Sequence, residues 1–335
     1  MNKHLYDMLD SNDETDRVYA AQDALEVIDS DLFGKLVSNL NDEKQQIVKE
    51  AIVETLIQSA KRESIWTNVN LEAVYRLFSS KDPFVRNSSI DIFSNGEELV
   101  VIFLQNKYQN ANVDLQKYIL DTYNEIPTDA ATDNIRKSLL SSDFNVLITA
   151  VEYLGKRKDT TVLPQMVKMF GESNEPMLKI AIIEAVVQMN DIATMKEILE
   201  LLNIKSLQED EMLVYFPLIL KLSAPVVELE TGLLFLEKYA TDHIIYNYAV
   251  EIVNFVTDLS KRFDSVLLNY SQIKKLLIEF LKYENQDMIL FYSIVRLMEQ
   301  SSNPLIASKL DSMKWNDPLD ITNLKNELEK ILALN

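Results

Sequence analysis

Apolar residues recur three and four positions apart through most of the chain, which is the spacing of one buried helix face. Three stretches carry this pattern in a shared frame. They are Asp82-Pro83-Phe84-Val85-Arg86-Asn87-Ser88-Ser89-Ile90-Asp91-Ile92-Phe93, Phe144-Asn145-Val146-Leu147-Ile148-Thr149-Ala150-Val151-Glu152-Tyr153-Leu154-Gly155, and Pro176-Met177-Leu178-Lys179-Ile180-Ala181-Ile182-Ile183-Glu184-Ala185-Val186. Each has an apolar anchor, a small or apolar pair beginning four residues on, an acid at +6, and two mostly apolar positions after it. Val48 to Leu56 and Leu115 to Tyr123 fit the same frame. The anchors Val48, Val85, Leu115, Val146 and Leu178 are spaced 37, 30, 31 and 32 by subtraction. Asp16 opens a weaker copy carried by Ala20-Ala21. Past Leu178 the signal thins: Ile245 fits with Ala249-Val250-Glu251, and Leu213 and Leu290 fit loosely. A repeat of this length, with a shorter helix between anchored ones, is a helix-pair repeat.

The pattern predicts a leading helix over residues 3–10 and a helix from an Asp13 or Thr15 cap to about Ile28, with Ala20, Ala21 and Ala24 inside. Helices follow over 31–40, 45–60, 71–78 and 82–94, with Asn41-Asp42-Glu43 as a turn and Gly96 as the left-handed residue that ends the last of them. Shorter partner helices are expected near 97–106, 129–140, 160–170, 192–202, 226–239 and 271–283. Pro217 lies inside an apolar helical stretch and should kink it. After a longer connection over 260–271 and a turn at Met313–Pro318, a last helix carries Ile321, Leu324, Leu328, Ile331 and Leu332 on one face. The expected organisation is a single body over 1–335: a capping repeat over 1–40, the best-matching repeats over 41–190, divergent ones over 191–312, and a capping helix over 313–335.

Tetratricopeptide repeats need Gly and Tyr at fixed places in the first helix, and ankyrin repeats need a Thr-Pro-Leu-His turn; both are missing. The Asp82-Pro83-Phe84-Val85-Arg86 start and the Val146-x₃-Ala150-Val151-x-Tyr153-Leu154-Gly155 run resemble the HEAT-repeat family, in particular its short bacterial, phycobilisome-lyase-like form. The resemblance covers about residues 40–190. It implies an all-α, right-handed α-solenoid of about eight to nine antiparallel helix pairs, with the second helix of each pair lining the concave side.

Composition narrows the function. Only 5 glycines and 8 prolines occur, too few for the turns of a sheet-rich chain of 335 residues. With no cysteine there is no disulfide, thiolate metal site or thiol nucleophile, which fits a reducing compartment. The acidic stretch Met1–Asp16 does not read as a signal peptide, and no apolar run has the ~18 residues of a membrane span. A cytoplasmic location is the expectation. The net charge of −19 argues against nucleic acid, because the basic runs Lys61-Arg62, Lys156-Arg157-Lys158, Lys261-Arg262 and Lys274-Lys275 are scattered and read as solvated helix ends.

No catalytic constellation is legible. The two histidines, His4 and His243, stand alone, so no metal site is expected. The His-Glu pairs of HEAT-like di-iron hydroxylases are missing, the charge does not suit the basic groove of HEAT-like glycosylases, and no phosphate loop or nucleophile elbow occurs. No cofactor and no catalytic residue are expected. One pattern stands out. The anchor, +4 and +8 lie at about 0°, 40° and 80° around a helix, and +6 lies at about 240°, opposite them. Glu54, Asp91, Asp121, Glu152, Glu184 and Glu251 occupy +6. Phe84, Met177, Ile148 and Ile180, at −1 and +2, are also left outward. Together with the HEAT resemblance this implies an acidic concave groove with apolar side chains, suited to a basic or amphipathic protein segment. Acids at +6 are also ordinary solvated residues: at about 10 Å in water two such charges repel by only ~0.4 kcal/mol. The leading expectation is a non-enzymatic scaffold or adaptor. The alternatives are a bilin-lyase-like or chaperone subunit, by family analogy, and a structural subunit of a larger assembly.

Overall fold

The computed structural model describes residues 2–239, 247–263, 271–282, 288–300 and 318–334. Among them are nineteen α-helices and no strand. They are α1 (Asn2–Leu9), α2 (Glu14–Val27), α3 (Ser30–Asp42), α4 (Gln46–Ser59), α5 (Asn68–Leu77), α6 (Pro83–Ser94), α7 (Glu97–Tyr108), α8 (Val113–Glu125), α9 (Asp129–Ser138) and α10 (Phe144–Lys156). Then come α11 (Leu163–Glu172), α12 (Pro176–Met189), α13 (Ile192–Leu202), α14 (Glu209–Ser223), α15 (Leu229–Tyr239), α16 (Ala249–Phe263), α17 (Ser271–Lys282), α18 (Met288–Gln300) and α19 (Pro318–Leu334). Contacts divide the chain into two compact units, Met1–Val162 and Leu163–Asn335.

In the first unit α2, α4, α6, α8 and α10 form one layer, each packed on the next. The second layer is α3, α5, α7 and α9. Here α3 packs on α5 and α7 on α9, while α5 meets α7 through a Tyr75–Phe103 ring contact and the Lys107–Glu72 ion pair. In the second unit α12, α14, α16 and α18 stack in order, α11 packs on α13, and α17 packs on α19. This is an all-α repeat of stacked helix pairs, as the periodicity implies.

The repeat frame explains the stacking. At +4 stand Ile52, Ser89, Ile119, Ala150 and Ile182, and at +8 stand Leu56, Phe93, Tyr123, Leu154 and Val186; all ten are buried. Of the anchors, Val48, Val85, Val146 and Leu178 are buried, but Leu115 is only half-buried because it borders an open cleft between α6 and α8. Ser89 and Ala150 keep the +4 position small in α6 and α10, while isoleucine fills it in α4, α8 and α12. A run of rings, Phe33, Trp66, Phe93, Phe78 and Tyr118, fills the space between layers with centroids 5.6–5.7 Å apart, a spacing that favours aromatic pairs. In α19, Leu324, Leu328 and Leu332 are buried as expected. The side chains of Ile321 and Ile331 lie outside the described residues, as do His243, Ile245 and most of the two connections near 260–271 and 313–318.

Four helices begin on one turn that the sequence pattern did not single out. In Ser11-x-Asp13, Ser80-x-Asp82, Ser141-x-Asp143 and Ser173-x-Glu175 the serine Oγ accepts the backbone N–H of the acid. The acid side chain then accepts an N–H of the first helical turn. Two orphan donors are satisfied per turn, and the carboxylate faces the positive end of the helix dipole.

The structure differs from the sequence pattern at the α3–α4 turn, at Gly96 and at the basic runs. Helix α3 runs through Asn41 and Asp42, so the turn is at 43–45, where Glu43 accepts the N–H groups of Lys44 and Gln45. Gly96 is not left-handed, with φ −94°; Glu97 takes that role at φ 46°. Glycine is required at 96 because a Cβ there would lie 2.3 Å from Val100 Cγ2 and 2.7 Å from the Trp66 ring. The basic runs are not merely solvated. Arg157 Nη2 donates to the carbonyls of Tyr123, Asn124 and Ile126 at 2.5, 3.0 and 2.7 Å, closing the C-terminus of α8. Arg262 Nη1 does the same for Ala224 and Val227 after α14, at 2.6 and 2.9 Å, and Arg62 Nη2 reaches Leu25 at 3.3 Å. Arg62 and Arg157 lie just past a long helix and Arg262 in the last turn of one, and each reaches carbonyls at the C-terminal end of the long helix one repeat earlier, where a cation is favoured.

Pro217 sits inside α14, which continues from Glu209 to Ser223. A proline has no N–H for the carbonyl four residues back, here Leu213. The Tyr248 hydroxyl donates to that carbonyl at 2.6 Å.

Candidate functional site

The outward acids are placed by the same frame that buries +4 and +8. In the first unit Glu54, Asp91, Asp121 and Glu152 stand on α4, α6, α8 and α10, four helices packed in succession. Glu54, Asp91 and Glu152 are exposed, and Asp121 is half-buried. In the second unit Glu184 on α12 is exposed and Glu251 on α16 is half-buried. The four acids of the first unit thus stand on successive helices of one layer but are not uniformly solvated.

Asp121 departs most from the simple reading. The Tyr153 hydroxyl on α10 donates to its Oδ1, linking the two helices. Burial pushes the Asp121 carboxyl above its ordinary value, and the negative charge of Glu125 adds to this. The Tyr153 bond, Lys117 and Lys156 act the other way without reversing it. Partial desolvation and the charge of Glu125 likewise hold the Asp91 carboxyl up, although the residue is exposed overall. Burial, the bond to Asp121 and the nearby acids push the Tyr153 phenol well above its usual range. Lys156 Nζ stands 5.0 Å from the Tyr153 ring centroid. Lys117 and Lys156 thus interrupt the acidic column at α8 and α10, leaving Glu54 and Asp91 as its more open end.

The raised Asp121 pKa has a testable sign. Its charged form costs stability in the folded chain. The favourable contribution is complete below the ordinary carboxylate pKa and is lost as pH rises through the higher folded value. Asp121→Asn keeps an acceptor for Tyr153 and carries no charge. Relative to the parent, its urea midpoint is expected to rise between about pH 4 and pH 7. A difference that stays flat or falls over that window would show that the carboxylate is not strained.

The apolar companions are less exposed than the helical wheel implies. Phe84 and Ile148 are half-buried in the first unit, as is Ile180 in the second. Met177 matches the expectation at 56% exposed. The frame should also have identified Ile47, at −1 from Val48 and 58% exposed. Phe144, at the start of α10, is 49% exposed and falls outside the −1 and +2 positions.

Between α6 and α8 lies an open cleft of about 560 Å³, bordered by Phe78, Arg86, Leu115, Lys117, Tyr118 and Asp121. Arg86 Nε donates to the Tyr118 hydroxyl at 2.9 Å and Nη1 to the Ser80 carbonyl at 2.6 Å, so the guanidinium is held against the wall. The cleft has ionic, aromatic and aliphatic borders.

Among the described residues no group of three or more His, Cys, Asp or Glu is arranged to hold a metal ion. His4 is exposed on α1. Among the same residues no helix is long and apolar enough to cross a membrane.

No family model matches the chain, and no curated protein matches it. Among solved structures, a crystal structure of an engineered protein aligns over 99% of this chain and 98% of its own, at 13% identity and a TM-score of 0.41.

Proposed function

We propose that this protein is a non-enzymatic adaptor or scaffold whose first unit docks a basic, amphipathic segment of a partner protein across α4, α6, α8 and α10. The supporting observation is the exposed carboxylates Glu54, Asp91 and Glu152 on α4, α6 and α10 of one layer, with the half-buried Asp121 on α8 and with Ile47, Phe84 and Ile148 on the same helices. Charge of one sign along a surface steers an opposite charge to it, and the adjoining apolar side chains give the complex its lifetime. Met177, Ile180 and Glu184 on α12 offer a similar, shorter surface in the second unit. The resemblance to HEAT repeats supports the same use of the long helices, and the lack of cysteine suits a cytoplasmic setting.

A panel of synthetic helical peptides, basic amphipathic against acidic and scrambled versions, tests this on the full chain. Basic peptides should bind with an association rate that falls with salt. Glu54→Lys with Glu152→Lys should slow association by about tenfold and flatten the salt dependence. Ile148→Ser should instead speed dissociation, burial of such a side chain being worth roughly 1.5–3 kcal/mol when complete. Glu197→Lys with Glu200→Lys, exposed on α13, is the control. If it weakens binding as much as the column variant does, only nonspecific charge remains and the docking reading fails.

A further inference from the structure

The turn between α6 and α7 contains Asn95-Gly96, the chain's single Asn-Gly pair. This dipeptide can rearrange without an enzyme. The Gly96 backbone nitrogen attacks Asn95 Cγ, and the side-chain nitrogen leaves as ammonia, taking the Gly96 amide proton. The product is a five-membered succinimide. Water then adds to one of its two carbonyls. Breaking the ring bond at Cγ gives aspartate; breaking it at the main-chain carbonyl carbon gives isoaspartate, with the backbone rerouted through the side chain. Glycine makes the attack easy because no Cβ shields the nitrogen.

The fold opposes every part of that step. Ring closure needs Gly96 N to lie in line with Asn95 Cβ. The observed ψ of Asn95, −4°, instead places it in line with the Asn95 nitrogen. The Gly96 N–H is already donated to the Phe93 carbonyl at 2.9 Å. The Asn95 amide is turned away and donates to the Asp91 carbonyl at 2.8 Å, with a longer contact to Ser94 Oγ at 3.4 Å. Rotation toward the ring would move Gly96, which is buried and wedged against Val100 and Trp66.

We propose that Asn95-Gly96 is a latent deamidation site, silent while the α6–α7 turn is closed, whose conversion records opening of that turn and then hinders its reclosure. Hindrance follows from the same geometry. Either product puts a new carboxylate beside Glu97 and Glu98 and removes the donor that holds Asp91 O. Isoaspartate also lengthens the backbone at a glycine with no spare room.

The full chain incubated at mildly alkaline pH, folded or in urea, followed by proteolysis and mass spectrometry of the peptide bearing residue 95, decides the matter. In urea Asn95 should convert first among the asparagines, ahead of the exposed Asn87-Ser88 on α6, with both aspartyl and isoaspartyl products. In the folded chain conversion at 95 should be at least about tenfold slower, limited by local opening. Asn95→Gln should abolish the mass gain in that peptide. The converted chain, purified and refolded, should melt at a lower temperature than the parent. Equal rates at 95 in folded and unfolded chain, or Asn87 leading in urea, would overturn the latent site; an unchanged melting temperature would overturn the hindrance.

Discussion

Arg157→Met should lower the stability of the first unit by about 3 kcal/mol. The guanidinium holds the carbonyls of Tyr123, Asn124 and Ile126 through Nη2, and Nη1 donates to Thr132 Oγ1 at 2.6 Å. Methionine keeps much of the aliphatic stem and removes every donor. Three carbonyls at the end of α8 then lose a cationic partner, and hydrogen bonds to charged groups are each worth about 1.5–3 kcal/mol. The sum falls short of three independent bonds, because water reaches part of a half-buried site. Burial pulls the Arg157 pKa down, but Glu125 and Asp159 favour its charge. The matching change Arg62→Met should cost less than about 1 kcal/mol, since Arg62 is exposed and makes one long bond to Leu25. Urea titration followed by Trp66 fluorescence, in a Trp315→Phe background, measures both. Equal losses would mean that the basic residues at helix ends act only through general charge.

A second large effect is expected where Pro217 interrupts α14. Tyr248→Phe should cost about 2 kcal/mol, because it leaves the Leu213 carbonyl without the donor that proline cannot supply. In a Pro217→Ala background the alanine N–H can take that carbonyl, and Tyr248→Phe should then cost less than about 0.5 kcal/mol. The non-additivity identifies the mechanism. If Tyr248→Phe costs the same in both backgrounds, the hydroxyl serves something other than the proline's orphaned carbonyl. Urea midpoints from far-UV circular dichroism suffice for all four proteins.

The layer structure was legible because it rests on apolar spacing. Val48, Val85, Val146 and Leu178 with their +4 and +8 partners are buried in the stacked helices as the frame requires. What escaped depends on groups meeting across repeats. Nothing local marks Arg157 as a cap for α8 rather than a solvated end, since its acceptors lie 31–34 residues earlier. Asp121 looks like any +6 acid until Tyr153, 32 residues later, is folded against it. Gly96 shows the converse error. Its position after α6 fits a left-handed cap, but crowding by Val100 and Trp66 is what demands glycine. The Ser-x-acid turns are carried by neighbouring residues alone, but their polar positions lie outside the apolar frame.

The bonds between successive repeats share one more property. Lys49 to Asp82, Arg86 to Tyr118, Tyr153 to Asp121, Tyr248 to Leu213 and Arg262 to Ala224 join residues 32 to 38 apart. Each such bond is available to a nascent chain once about one further repeat has been made. At about 5–20 residues per second, a repeat of ~35 residues waits roughly 2–7 s for its successor. Locking can thus keep pace with the ribosome, each long helix being covered by the next within seconds of its own synthesis.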